Sequence, residues 1–205
     1  MTFRNLALAA ALALALTPAA AAFAQSADPA AAQIDAFDAS LLDTMKQAKA
    51  LGVDGRFRKL APAVEGAFDL PRMTGFAVGP KWSTLSPSDQ TALVKAFTRL
   101  TTASYAHNFD GYGGERFTVD DKVDTRGPDK LVRSHIVRPN DKPVDLAYRM
   151  RQSTDGRWKI IDVYYNGSIS ELTTRRSDFG ASAALGAPAL LQKINALADK
   201  LMRGG

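Results

Sequence analysis

Few side chains in this sequence are suited to covalent or proton chemistry. There is no Cys, and His107 and His135 are the only histidines. Zinc sites take three or four N, S or O ligands, so this set holds no evident metal, and no cofactor is expected. His135 lies beside Arg133 in a strand-like run and reads as a solvent-facing strand residue. His107 stands near the end of a helical stretch, where a cation meets the helix dipole favourably. "DGYGGERF", residues 110–117, carries glycines but precedes a strand-like run, so it does not fit a phosphate-cradling loop. The residue that stands out is Asp162, within "GRWKIIDVYYNGSIS", residues 156–170. Simple alternation puts Trp158, Ile160 and Tyr164 on one side and Ile161, Val163 and Tyr165 on the other, so both faces need cover. A desolvated carboxylate in such surroundings could serve as the base of a small isomerase-like enzyme on an apolar substrate, with Tyr164 or Tyr148 as partner. It could also be a structural acid paired with Arg175 or Arg176, and removing one partner of such a pair leaves a costly buried charge.

The elements that must position these residues follow from periodicity. Ile34, Phe37, Leu41, Met45 and Ala48 fall at spacings of three and four, which predicts a helix from Asp28, a capping residue, to Leu51, stopped by Gly52. A short helix follows through Phe57, Leu60 and Val64. Asp69 and Pro71 open another, ended by Gly79 and Pro80. Ser86, Pro87 and Asp89 form a variant capping box before a helix that runs to about Asn108. The period then changes to two. Strands are expected at 117–123, at 130–138, at 144–150 and across the Asp162 segment, separated by the turn sequences "RGPD", "PNDKP" and "STDG". Two closing helices carry Ile169, Leu172, Arg176 and Phe179 on one face, and Leu190, Ile194, Leu197 and Leu201 on another. Helices first, an antiparallel four-stranded meander next and helices last describe an α+β fold, with helices packed on the sheet.

The first residues read as an export signal: Arg4, an apolar run Leu6–Leu16 shorter than the roughly 20 residues a membrane span needs, and small residues at Ala22 and Ala24. Cleavage is expected between Ala24 and Gln25, leaving residues 25–205 as one domain in the periplasm. An exported chain without Cys has no disulfides and must be held together by its core. The 26 Lys and Arg against 21 Asp and Glu give a net charge of +5, Arg4 being the leader's share. These charges are scattered, which argues against a nucleic-acid partner.

Two stretches resemble a known family. Residues 68–106, "FDLPRMTGFAVGPKWSTLSPSDQTALVKAFTRLTTASYA", look like the middle of MlaC-type periplasmic lipid carriers. Residues 156–179 match their other hallmark, with Trp158, Asp162-Val163, Gly167-Ser168, Arg176 and Phe179 at similar intervals. The resemblance extends from about Ala30 to Met202. "FDGYGGERF" and "DVYYNGSISEL" are more similar to the hopanoid-associated branch called HpnM. The resemblance implies a soluble shuttle, not an enzyme, that buries lipid tails in an apolar cavity between a curved sheet and helices. Its cargo would be a phospholipid or a hopanoid, and its partner an ABC-type or RND-type membrane transporter complex. On this reading the cavity is expected among Met73, Phe76, Val78, Phe97, Leu100, Tyr148, Met150 and Tyr164. Asp162 and Arg176 become an ion pair that ties the last strand to the next helix.

Overall fold

The computed structural model describes residues 28–203; the expected signal and its cleavage between Ala24 and Gln25 lie outside them. Six helices and six strands follow in order: α1 (Pro29–Lys46), α2 (Ala48–Ala67), α3 (Leu70–Val78), a 3-10 turn (Gly79–Thr84), α4 (Pro87–Asn108), β1 (Arg116–Val119), β2 (Asp124–Arg126), β3 (Asp129–Val137), β4 (Val144–Gln152), β5 (Trp158–Tyr165), β6 (Ile169–Ser170), α5 (Glu171–Ala184) and α6 (Ala187–Met202). The class is α+β, and all strand pairs are antiparallel. No helix among the described residues is long and apolar enough to cross a membrane.

Local sequence sets the helix boundaries. The Asp28 side chain accepts from Ala30 N and caps α1. Asp69 caps α3 through Arg72 N, and Gly79 ends that helix at φ 81°. Ser86 Oγ accepts from Asp89 N at 3.1 Å and donates to Asp89 Oδ2 at 2.8 Å, so the Asp in place of the usual Glu bonds the cap hydroxyl itself. The expected stop at Gly52 is a sharp break near the start of α2: Gly52 has φ 59° and ψ 179°, a region open essentially to glycine alone. A second interruption at Gln47, which sequence periodicity does not show, separates α1 from α2.

The sheet has six strands rather than the expected four, in the order β1-β3-β4-β5-β6, with β2 also on β3. β1 and β2 share one edge of β3, opposite Ser134–Val137 and Asp129–Leu131. The strand expected at 117–123 is shorter than expected: β1 ends at Val119 and pairs at the far end of β3. β2 is an additional strand beyond it, where the tight turn through Gly127 and Pro128 folds Asp124–Arg126 back onto the start of β3.

The core lies between the helices and one face of the sheet. Ile34, Phe37 and Leu41 of α1, Leu93, Phe97 and Leu100 of α4, and Ile194 of α6 meet Val132, Tyr148, Met150, Ile160 and Val163 of the sheet, all buried. Fully burying an aliphatic or Phe side chain is worth about 1.5–3 kcal/mol. α1, α2, α3 and α5 all reach β5. The chain at Phe68 and Asp69 also lines the edge of β5, where Asp69 N donates to Ile160 O at 2.9 Å.

A Cβ at Gly52 meets no atom within 4 Å, so Gly52→Ala isolates the backbone cost. It should destabilise the protein by about 1–3 kcal/mol, lowering Tm by about 2–4 °C per kcal/mol in a thermal melt.

Candidate lipid-binding site

A β-bulge decides which side chains face the helices. Tyr148 pairs with Val163 and Arg149 with Asp162, but Met150 pairs with Ile160, so Ile161 is an extra residue in β5. The bulge shifts the parity of the strand. Trp158 and Ile160 lie on the helix side, and so do Val163 and Tyr165; Tyr164 faces away.

On the helix side, Tyr105, Asn108 and Phe109 at the end of α4 and Ile136, Leu146, Tyr148, Val163 and Tyr165 of the sheet line a cavity of about 190 Å³. A chain of aromatic rings leads along it. Phe68 meets Phe37 at 5.3 Å, Phe37 meets Tyr105 at 5.2 Å edge to face, Tyr105 stacks on Phe109 at 5.7 Å, and Phe109 lies 6.2 Å from Phe117 of β1. Such pairs add about 0.5–1.5 kcal/mol each beyond their buried area.

One acid lies in this interior, and it is Asp38 of α1. It is only 2% exposed. Ser134 Oγ of β3 donates to Asp38 Oδ2 at 2.6 Å, while Asp38 Oδ1 has no hydrogen-bond partner. Burial pushes its pKa up to about 7; the Ser134 hydroxyl and the nearby Tyr148 hydroxyl oppose that shift, and Asp35 adds to it. Tyr148 and Tyr105, both buried, are held well above the usual phenol range, first by desolvation. Asp38 sits four residues from Ile34 and three from Leu41, on the apolar stripe of α1. That spacing alone could have marked it.

On the opposite face of the sheet a larger groove of about 580 Å³ is lined by Leu131, Ala147, Tyr164, Arg149, His135 and Asp145 among others. Most of its charges are paired. Asp129, also 2% exposed, is held by Arg149 and Arg151; burial alone would raise its pKa, but hydrogen bonds from these two arginines bring it below the usual carboxylate range. Arg133 pairs with Asp124 at 2.7 Å. His135 bridges three strands' worth of chain: Nδ1 lies 2.8 Å from Asp145 Oδ1 and Nε2 3.0 Å from Asp120 Oδ1. The Asp145 hydrogen bond is the main cause of its raised pKa. His135 is thus a clamp between carboxylates rather than a merely solvent-facing residue. His107 occupies the last turn of α4.

The eight side chains expected around one cavity are dispersed. Tyr148 alone among them lines the inner cavity. Met73, Phe97, Leu100 and Met150 are packed in the core. Tyr164 lines the outer groove, displaced by the bulge. Val78 lines a separate cleft between the 3-10 turn and α5, and Phe76 is exposed beside Arg176.

The expected Asp162–Arg176 ion pair is corrected by the structure. Asp162 Oδ1 accepts from Val163 N at 2.9 Å and from Leu172 N at 3.1 Å, and Oδ2 accepts from Ser170 Oγ at 2.7 Å. The carboxylate binds the N-terminus of α5, where free N–H groups and the helix dipole stabilise an anion without a counter-charge. Arg176 instead stacks over Phe76, 5.1 Å from the ring centre, and Arg175 pairs with Glu171 at 3.3 Å. With three hydrogen bonds on its oxygens, Asp162 serves as a tie between β5 and α5.

The comparisons with known proteins agree with this architecture. The family described as MlaC protein matches residues 36–199. No curated protein matches the chain in sequence. Among solved structures, a phospholipid-binding protein from Ralstonia solanacearum, determined in complex with a phospholipid, superposes with a TM-score of 0.73 at 23% identity, covering 84% of this chain and 98% of that one.

Two outcomes test the acids. Asp162→Ala should cost about 2 kcal/mol, the order expected for a lost helix cap that leaves N–H groups unpaired, read as a lower Tm. Asp38 titrates higher when folded than unfolded, so the folded state holds its proton longer. Stability should therefore fall as pH rises from about 4 to about 7, and denaturant titrations of Asp38→Asn should show that slope removed. Helix order, sheet pairing and the matched span together place the chain in the MlaC protein family.

Proposed function

We propose that this protein is a soluble lipid carrier of the periplasm, exported by residues 1–24, that takes up a phospholipid or a hopanoid and passes it between membranes. The observation that supports this most is an apolar cavity, walled by aromatic rings between α4 and the sheet, in a chain of the MlaC family. The phospholipid bound by the Ralstonia solanacearum protein of the same fold supports the ligand class. A sixteen-carbon tail gains on the order of 12 kcal/mol from a dry site, since each buried methylene is worth about 0.8 kcal/mol. That gain replaces what the bilayer supplies.

The cavity of about 190 Å³ is smaller than the roughly 300–1,000 Å³ of common ligand pockets. A diacyl lipid therefore fits only if the helices and the inner face of the sheet part. The interior polar groups lie where they would part: Asp38 carries an unpaired oxygen against β3 and β4. Handing the lipid on calls for a membrane transporter complex of the ABC or RND type, and the HpnM-like phrases favour the hopanoid-linked form.

Native mass spectrometry of protein purified from a membrane-bearing host should show bound lipid, and solvent extraction should identify it. Leu146→Trp, which fills the cavity, should lower the bound fraction at least tenfold while leaving a folded protein. Repeated recovery of empty wild-type protein after incubation with liposomes would overturn the proposal.

A further inference from the structure

The cleft between the 3-10 turn and α5 differs from every other charged surface described above. It is about 340 Å³, floored by small or apolar residues such as Val78 and Ala184, and bracketed by Lys81 and Arg176. Neither cation meets a carboxylate among the described residues. Lys81 Nζ donates to the backbone oxygen of Ala184 at 2.8 Å, and the Arg176 guanidinium lies over the Phe76 ring. In the outer groove, by contrast, Arg133 and Arg149 each have an Asp. Two of the four exposed large hydrophobic residues among the described residues stand beside the same cleft: Phe76, 46% exposed, and Leu185, 81% exposed and next to Ala184. Arg176 and Ala184 lie eight positions apart on α5, so this side of the cleft extends over roughly 12 Å. Leu185, just past the end of α5, is uncovered among the described residues, and with Phe76 it puts two apolar tips beside the same two cations.

We propose that this face docks on an anionic phospholipid bilayer, with Phe76 and Leu185 entering the headgroup boundary and Lys81 and Arg176 facing lipid phosphates. The charge complementarity decides the occupant. Apolar tips alone fit many surfaces, but two uncompensated cations immediately beside them match the interface of an anionic membrane, where an aromatic ring sits at headgroup depth under a cation. The protein's net charge of +5 adds long-range attraction of the same sign. The inference does not depend on the inner cavity holding a lipid, because the cleft lies apart from the residues that line that cavity.

The test is co-sedimentation of the purified protein with vesicles of equal phosphatidylglycerol and phosphatidylcholine, and with phosphatidylcholine alone. Wild-type protein should partition at least tenfold better onto the anionic vesicles. Lys81→Glu with Arg176→Glu should weaken that by at least 25-fold at low salt, on the order of fivefold for each cation removed. Leu185→Ser and Phe76→Ser should each weaken it about tenfold; Leu185→Ser, at so exposed a site, keeps the test decisive if the charge variant fails to fold. Lys95→Glu, on the exposed face of α4, is the control for net charge and should stay within twofold of wild type. Equal loss in Lys95→Glu, wild-type protein that binds neither vesicle, or Leu185→Ser that binds like wild type each overturns the proposal; the last two assign the face to a protein partner. Lipid retained by Leu185→Ser in native mass spectrometry reports on the carrier function separately.

Discussion

The structure depends on β5 being enclosed. A strand whose residues from Ile160 to Val163 are all buried cannot sit at a solvated edge or with one wet face. Beside the short pairing of its end with β6, three interactions enclose it. β4 pairs along its length, Phe68 and Asp69 close part of the other edge through the bond to Ile160, and the Asp162 carboxylate holds the N-terminus of α5 against it. Each solves a different problem. The edge contact satisfies backbone groups that would otherwise be unpaired in an apolar layer. The carboxylate satisfies helix N–H groups and places α5, which in turn packs Leu172 and Phe179 into the core. A lone acid among apolar residues is thereby explained by the helix that follows it, which begins nine positions further along the chain at Glu171.

The bulge also explains how much was legible in the sequence. The α+β class, the helix caps at Asp28, Asp69 and Ser86, the glycine stops and three of the long strands follow from periodicity and turn chemistry, because these are local. Side-chain parity in β5 is not local. A strict period of two assigns Tyr164 to the core, and one extra residue at Ile161 reverses that assignment for everything after it. No residue type announces the bulge: Ile161 and Val163 fit a regular strand, and Asp162, though uncommon in strands, does not by itself mark an extra residue. β2 escaped for a similar reason: three polar residues become a strand only because Gly127 turns them onto β3. The apolar residues expected around a hollow, such as Phe97 and Met150, have the same composition whether they pack against each other or against a guest. Their separation into filled core and cavity wall depends on the volumes of all their neighbours at once.

Charge placement separates the surfaces by use. On the outer face of the sheet most strong charges are answered, by Asp129 for two arginines, by Asp124 for Arg133 and by Asp120 and Asp145 for one histidine. The more exposed of these pairs contribute little energy individually, about 0–1 kcal/mol, but together they fix side chains across neighbouring strands. That suits a face that braces the sheet. Inside, the reverse holds: Asp38 is unanswered on one oxygen in a layer that is otherwise apolar.

An interior optimised for cohesion would not keep that acid, because a hydrophobic side chain of similar size would remove both the desolvation cost and the unpaired oxygen. Its presence makes the contact between α1 and the sheet weaker than the packing around it, at the layer beside the aromatic-walled cavity. A carrier needs such a layer. If the closed interior were as cohesive as an ordinary core, separating it to admit an amphiphile would cost more than the amphiphile returns, and the empty form would be a trap. Placing one costly polar group where the halves meet lowers the penalty for opening without loosening the packing of Phe97, Leu100 and Met150 that keeps the fold together. The same group sets a pH dependence on that balance, since ionising Asp38 in the closed interior is more costly than ionising it in an opened one.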